Sequence, residues 1–271
     1  MKSGLKDLIA LMARRPLLSK IHPYKDIHKG ESCYVMSDGV SVKWFDLSAF
    51  SDKIAIVCNF FVFHKQFEEL NAPYAVLPEP FWFYPRQWTT DHPRKNISNP
   101  ISKFYKQEII DRYVEKTFFL NLSNCLTVRR KNVVYTFNEL WDERLPENFI
   151  TKRIDCFAGS LRASIMMAIY MGFDHVFLVG HDYTHSPSRS SHWYEKGEGV
   201  FHPQKDFNKE FFEIAKEFID ITTITLDGTS DFLDAISYKN YTGQNPIYRD
   251  HTDLADENCL KILSTWPGYN I

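Results

Sequence analysis

The chain contains no stretch approaching the roughly 20 consecutive apolar residues that a membrane span needs. Arg14 and Arg15 also interrupt the N-terminal apolar stretch too early for a secretory signal core. Neither sign of charge is in excess. With 32 basic and 34 acidic residues the formal net charge is −2, which gives no global reason to expect a nucleic-acid partner, because phosphate-backbone binders carry a strong basic surplus. Cysteine is sparse: the five residues at 33, 58, 125, 156 and 259 form no CxxC pair. Neither a disulfide framework nor a zinc site is expected, and buried thiols in a reducing cytoplasm fit best. A GxGxxG fingerprint, a Walker A loop and a GxSxG elbow are all absent, which weighs against a simple dinucleotide-binding loop, a P-loop kinase and an α/β-hydrolase. No DxD, DxE or ExD occurs anywhere. No metal site and no cofactor are therefore expected.

Hydrophobic residues make up 44% of the chain, and 22 Phe and 14 Tyr contribute to a 15% aromatic content. That is enough for a substantial core. The first residues place Lys2, Lys6, Arg14, Arg15 and Lys20 among Leu5, Leu8, Ile9, Leu11, Met12, Leu17 and Leu18. This spacing predicts a basic amphipathic helix that either lies peripherally on an anionic membrane surface or packs on its own domain. Three stretches follow from the pattern: a helical segment over 1–29, an α/β domain over 30–236, and a tail over 237–271 with no assignable pattern.

Within the domain, apolar runs at 32–36, 53–59 and 74–77 read as buried parallel strands. A helical crossover over 41–50 would join the first two into a βαβ unit. Residues 80–105, rich in Pro, Trp, Tyr and Asn, predict an irregular lid-like segment. Short strands are expected over 116–122 and 125–128. Residues 160–172 have helical spacing ending in glycine, and 175–180 form the best strand of the chain. A mobile loop over 184–203, a helix over 207–219 and a strand over 222–226 complete the pattern. The class predicted is α/β, a Rossmann-like parallel sheet flanked by helices.

Candidate site residues cluster at predicted strand ends, where open α/β sheets bind ligands. Asp38, Gly39 and Ser41 follow the first strand, in a loop that presents backbone N–H groups to an anion. Asn59 closes the second strand and either binds a base, ribose or sugar hydroxyl or caps the chain locally. Ser160 opens a helix, as a plain cap or as a phosphate contact. Gly180, His181, Asp182 and Tyr183 end the strongest strand, where Asp182 either orients a base or caps the next loop. His185, His192 and His202 follow, and histidine suits proton transfer near neutral pH.

In order and approximate spacing these blocks resemble the bacterial sialyltransferases of glycosyltransferase family 42. That family has a strand, a G-N-G-P-S-L loop, and a second strand ending in C-N; here Ser37-Asp38-Gly39-Val40-Ser41-Val42 precedes Val57-Cys58-Asn59. The family then has a serine opening a helix, an A-x-x-x-G turn, and an apolar strand ending in G-I-D-[FY]. This chain has Ser160, Ala168 to Gly172, and Gly180-His181-Asp182-Tyr183. The likeness spans about 30–60 and 157–236. It implies a metal-independent transferase moving a sugar from a nucleotide sugar, a CMP-sugar favoured, to a surface-glycan acceptor of lipopolysaccharide or capsule type, and it implies a homo-oligomer.

By the same resemblance Asp38, Gly39, Ser41, Asn59, Ser160 and Gly180 would line the nucleotide pocket, and Tyr183 or Tyr194 would donate to the departing phosphate. His202 or His192 would be the base, ranked equally. The loop departs from the family at Asp38 for Asn, Val40 for Pro, and Phe60 after Asn59. A related family, domain of unknown function 115, has a similar pattern and implies instead a Mg²⁺-dependent diphosphokinase, with Asp38 and Asp182 as carboxylates. A non-catalytic glycan-assembly protein is the third reading.

Overall fold

A computed structural model describes residues 16–84, 100–136, 159–202 and 209–271. Eight parallel strands form one sheet: β1 (Ser32–Met36), β2 (Ile54–Cys58), β3 (Tyr74–Leu77), β4 (Thr117–Asn121), β5 (Val133–Thr136), β6 (His175–Val179), β9 (Asp220–Thr225) and β10 (Asp234–Ser237). Their spatial order is β10-β9-β6-β1-β2-β3-β4-β5. This is the Rossmann-like α/β class that the sequence predicts. A separate antiparallel pair joins β7 (Ser188–Ser190) to β8 (Val200–His202).

Apolar residues on both sides of β1 and β2 explain why these central strands read as continuous runs. Cys33 and Val35 of β1 enter one core layer, with Ile56 and Cys58 of β2 and Ile165, Met167 and Met171 of α2 (Ser160–Met171). Tyr34 and Met36 enter the other, with Ala55, Val57, Phe45, Phe50 and Tyr238. Successive strand side chains point to opposite faces, so burial on both faces needs apolar residues at every position.

Several expectations are revised. The 41–50 crossover is two 3₁₀ turns, Val40–Trp44 and Leu47–Phe50, because so short a connection rich in β-branched and aromatic residues leaves little length for an α-helix. Residues 125–128 are not a strand. A 3₁₀ turn, Leu122–Leu126, begins where the Asn121 side chain accepts from Ser123 N, and the strand that pairs with β4 is β5, with Phe118 opposite Val133. Part of the irregular segment over 80–105 is helical, in α1 (Pro100–Phe104), while 85–99 lies outside the described residues. The loop over 184–203 holds the β7–β8 hairpin.

The tail over 237–271 is not patternless. It contains α4 (Tyr238–Thr242), α5 (His251–Leu254) and α6 (Glu257–Leu263), after α3 (Lys209–Ala215), and it supplies Tyr238, Leu254, Leu260 and Leu263 to the core. Most of the predicted N-terminal amphipathic helix lies outside the described residues, but Leu18 and Ile21 are buried in the body of the domain. Among the described residues no helix is long and apolar enough to cross a membrane. The described cysteines are free thiols, buried at 33, 58 and 259 and half-buried at 125.

The chain leaves β1 toward β2–β5 on one side, whereas β6, β9 and β10 build the other side. The strand order therefore reverses between β1 and β6, and the loops leaving their carboxyl ends diverge there. The two ends are also drawn together, since Gly39 N donates to Gly180 O at 2.8 Å. A Cβ on Gly39 would sit 2.3 Å from Gly180 O and 2.7 Å from the Asp182 carboxyl carbon. Gly39→Ala is expected to cost about 3 kcal/mol by overpacking. Gly197→Ala, with nothing within 4 Å but φ +79, should cost only about 1 kcal/mol of left-handed strain. Denaturant unfolding of the two variants checks the difference, and equal losses would contradict a tight β1–β6 junction.

Candidate functional site

A cleft of about 530 Å³ opens where the loops after β1 and β6 diverge, lined by Ser37, Asp38 and Gly39, by Asn59, by Gly159 to Arg162, by Gly180 to Thr184, and by Arg189, Ser191 and His192. The helix α2 begins at this wall with Ser160 as its first residue, after Gly159 at φ +87. Unpaired N–H groups and the positive end of the helix dipole are there to meet an anion. Arg162 and Arg189 add cationic side chains to the lining. Arg189 is braced over the rings of Phe201 at 4.2 Å and Trp44 at 4.9 Å.

Asp182 lines the cleft, yet both of its carboxylate oxygens turn back to the chain: Oδ2 accepts from Ser41 N at 2.8 Å and Oδ1 from the Ser41 hydroxyl. Ser41 is fully buried and is not among the cleft's lining residues. These two, expected from sequence to meet ligand or base, instead lock the loop after β1 to the loop after β6. His181 also lines the cleft, and burial, with the neighbouring His185, pushes its pKa down to about 3. It brings a neutral ring to the site.

His192 sits on the loop between β7 and β8, which is stitched to β1 by Trp193 N donating to Asp38 O at 3.0 Å. Its Nδ1 lies 2.6 Å from Glu195 Oε2. The same oxygen accepts from His192 N at 2.9 Å and Ser191 Oγ at 3.1 Å, and Glu195 Oε1 accepts from Asn270 N at 3.0 Å. Burial works against the imidazolium, but the Glu195 hydrogen bond and the Asp38, Glu195 and Asp182 charges outweigh it and hold the His192 pKa above its ordinary value. Burial likewise opposes the Glu195 carboxylate, yet His192 and the Asn270 N–H bring it down to about 2. With Nδ1 held by Glu195, Nε2 is the ring nitrogen available to a ligand. The ring is stacked on Tyr194 at 5.0 Å and 5°. Beneath this loop the buried Lys43 ammonium donates to Glu195 O and Gly197 O.

A smaller inner chamber of about 220 Å³ adjoins the cleft and shares Asp38, Asn59 and His192 with it. Phe60, Leu77, Glu79, Trp82, Tyr194 and Tyr269 complete its walls. Asp38 accepts from Phe60 N at 3.1 Å and Trp193 Nε1 at 3.2 Å. Burial outweighs these donors and the nearby His192, raising its pKa to about 6. Asn59, at φ +49, donates to Ser160 Oγ at 2.9 Å, which leaves its Oδ1 buried without a partner.

Of the residues singled out from sequence, Asp38, Gly39, Asn59, Ser160, Gly180, Tyr183 and His192 line this one cleft. Ser41 serves the scaffold. Tyr194 is almost fully buried in the chamber wall, so it stands beneath His192 rather than among the cleft-lining groups. His202, on β8, pairs its Nε2 with Ser190 Oγ at 3.0 Å and is not among the cleft's lining residues. Sequence reasoning missed Glu195, whose i,i+3 spacing from His192 was a readable signal, and Arg162, two residues into α2. Glu79, Trp82 and Tyr269 carried none, since only tertiary packing gathers them. Among the described residues no group of three or more His, Cys, Asp or Glu side chains is placed to hold a metal ion. Asp182, one of the two carboxylates that the diphosphokinase reading would use, is engaged by Ser41.

Sheet and cleft together define a parallel α/β protein with a ligand crevice at the switch point of its sheet. No family model matches the chain, and no curated protein sequence does. Among solved structures it is similar to the sialyltransferase CstII from Campylobacter jejuni in complex with the substrate analogue CMP-3FNeuAc, with 14% identity over 86% of this chain and 98% of that chain and a TM-score of 0.46. It is also similar to the sialyltransferase CST-II in complex with a trisaccharide acceptor and CMP, with 14% identity over 89% and 100% of the two chains and a TM-score of 0.46. At this identity the likeness concerns the fold, and the residue roles below rest on the site's own geometry.

Asp38 offers a test of the site's electrostatics. Its folded pKa of about 6 lies above the ordinary 3.8, so its contribution to stability is fully present below the ordinary value and is lost as pH rises through about 6. Relative to Asp38→Asn, the wild type should lose about 3 kcal/mol of unfolding free energy between roughly pH 4 and pH 7. Chemical denaturation across that range measures it, and a pH-independent difference would show that the Asp38 carboxyl is not perturbed.

Proposed function

We propose that the chain is a metal-independent glycosyltransferase that moves a sugar from a nucleotide sugar, a CMP-sugar favoured, to a hydroxyl of a surface-glycan acceptor, with the cytoplasm as its compartment. The observation that carries this reading is the His192–Glu195 dyad, placed where the cleft meets the inner chamber. An imidazole fixed at Nδ1 by a carboxylate, with Nε2 left for a ligand, is the arrangement of a general base.

In this reading the nucleotide lies in the cleft, with its phosphate near the N–H groups that open α2 and near Arg162, Arg189 and the Tyr183 hydroxyl. The acceptor hydroxyl gives its proton to His192 Nε2 as its oxygen attacks the anomeric carbon. The bond from that carbon to the phosphate oxygen breaks, its electron pair leaves with the nucleotide, and configuration inverts. Hydroxyl, amide and guanidinium donors stabilise the charge that develops on the phosphate. Glu195 holds the ring's tautomer and stabilises the imidazolium as it forms.

Binding to the native state raises its melting temperature, so CMP should stabilise the protein equally with and without Mg²⁺, by about 2.7 kcal/mol at 100-fold excess over Kd. Stabilisation by ATP with Mg²⁺ alone would overturn the reading in favour of the diphosphokinase. His192→Ala should lower kcat for CMP release from the donor by about 10²–10⁴-fold with nucleotide affinity nearly unchanged, while His202→Ala should leave turnover close to wild type. The active form of His192 is the neutral one, so turnover should rise with pH along a limb above the ordinary histidine value. Glu195→Gln should move that limb to lower pH.

A further inference from the structure

The segment that follows α6 meets the His192 loop with both its backbone and a side chain. Its course is set locally: Pro267 and Gly268 occupy the central positions of a turn closed by Tyr269 N donating to Trp266 O at 3.1 Å. Leu260 and Leu263 of α6 anchor it in the core. Beyond the turn the chain pairs with the loop in both directions. Lys196 N donates to Asn270 O at 2.7 Å, and Asn270 N donates to Glu195 Oε1 at 3.0 Å.

The second of these bonds bears on the dyad directly. Glu195 Oε2 accepts from groups of its own loop, Ser191 Oγ, His192 N and His192 Nδ1, whereas Oε1 is tied to a residue 75 positions away. Glu195 is only 7% exposed, so an oxygen turned away from water needs a donor from the protein. Rotation of a carboxyl group about its last bond is soft. Held at both oxygens its plane is fixed, and Oε2 is aimed at Nδ1. Burial opposes the Glu195 carboxylate, and after His192 the Asn270 N–H is the next group that brings its pKa down to about 2. Tyr269 acts on the other partner. The His192 ring is stacked on Tyr194 at 5.0 Å, and the Tyr269 ring stands at 76° to it at 5.5 Å while also meeting Tyr194 at 5.1 Å. An imidazole bounded by two packed rings cannot swing without displacing one of them.

We propose that Tyr269 and Asn270 are positioning residues for His192: together they hold the Glu195 carboxyl plane and the imidazole ring so that Nδ1 carries the proton and Nε2 keeps its lone pair. The effect on turnover rests on the transferase reading, while the tautomer does not. Which ring nitrogen carries the proton is set by the hydrogen bonds the ring makes. Loosening Glu195 therefore lets the proton move to Nε2, and a protonated Nε2 cannot take one from an acceptor hydroxyl.

The test uses the full chain labelled with ¹⁵N-histidine, with the His192 ring signals assigned from His192→Gln, and reads the neutral tautomer in long-range ¹H–¹⁵N spectra above the pH at which the ring titrates. Wild type should show the Nδ1–H form. Asn270→Pro deletes the N–H and should shift the tautomer ratio toward Nε2–H about fivefold, whereas Asn270→Ala keeps the N–H and should retain the wild-type ratio. Tyr269→Ala tests the ring restraint separately, should shift the ratio in the same direction, and serves if the proline variant does not fold. In CMP release from CMP-N-acetylneuraminate, Asn270→Pro should lower kcat by about 10-fold to 10²-fold with KM nearly unchanged. A ratio that neither Asn270→Pro nor Tyr269→Ala alters overturns the proposal, as does an equal shift in Asn270→Ala, or a shifted ratio with kcat unchanged in an active enzyme. A shifted ratio in a chain whose wild type releases no CMP upholds the positioning and counts against the transferase reading alone.

Discussion

The site depends on the contact between the ends of two central strands. β1 and β6 lie side by side in the sheet, and the chain continues the pairing beyond them through Ser37 N to Val179 O and Gly39 N to Gly180 O. At the second of these contacts a Cβ on either glycine would clash, and Asp182 then closes the junction by accepting from both the amide and the hydroxyl of Ser41. Parallel strands offer no hairpin to fix their ends relative to each other. A buried carboxylate that bridges the two loops does so instead. The cleft floor, and the attachment of the His192 loop to Asp38 and Gly39, follow from that junction.

The loop itself is held from three directions. Lys43 reaches it from below, Glu195 binds it internally, and Lys196 N donates to Asn270 O at 2.7 Å while Asn270 N returns a bond to Glu195. A buried ammonium is tolerable only where acceptors replace its hydration, and two backbone carbonyls provide them here. A segment that reads as a mobile loop in sequence thus presents a histidine with one nitrogen already committed.

Three carboxyl groups near His192 occupy three environments, and their pKa values separate accordingly. Glu195 has donors on both oxygens and lies at about 2. Asp38, fully desolvated with two N–H donors, lies at about 6, and Glu79, with an unpaired oxygen, at about 7. Environments drive these neighbouring carboxyls apart: Glu195 is held as the carboxylate against the imidazole, while burial favours the neutral form of Asp38 and Glu79.

The sequence alone was enough for the sheet's class. Runs such as Cys33 to Met36 are apolar at every position because both faces are buried, and the residues that follow them line the cleft. Local chemistry could not separate Asp38, which faces both cavities, from Ser41, three residues on and wholly interior. It also left His192 and His202 equivalent, since each is a histidine in a polar stretch. Tertiary structure distinguishes them by bringing Glu195 to one and Ser190 to the other. It likewise gathered Glu79, Trp82 and Tyr269 into one chamber from positions up to 190 residues apart in the chain. Periodicity records which face of an element is buried, but not which distant side chains share a cavity, because that depends on how strand order and loops fold back in space.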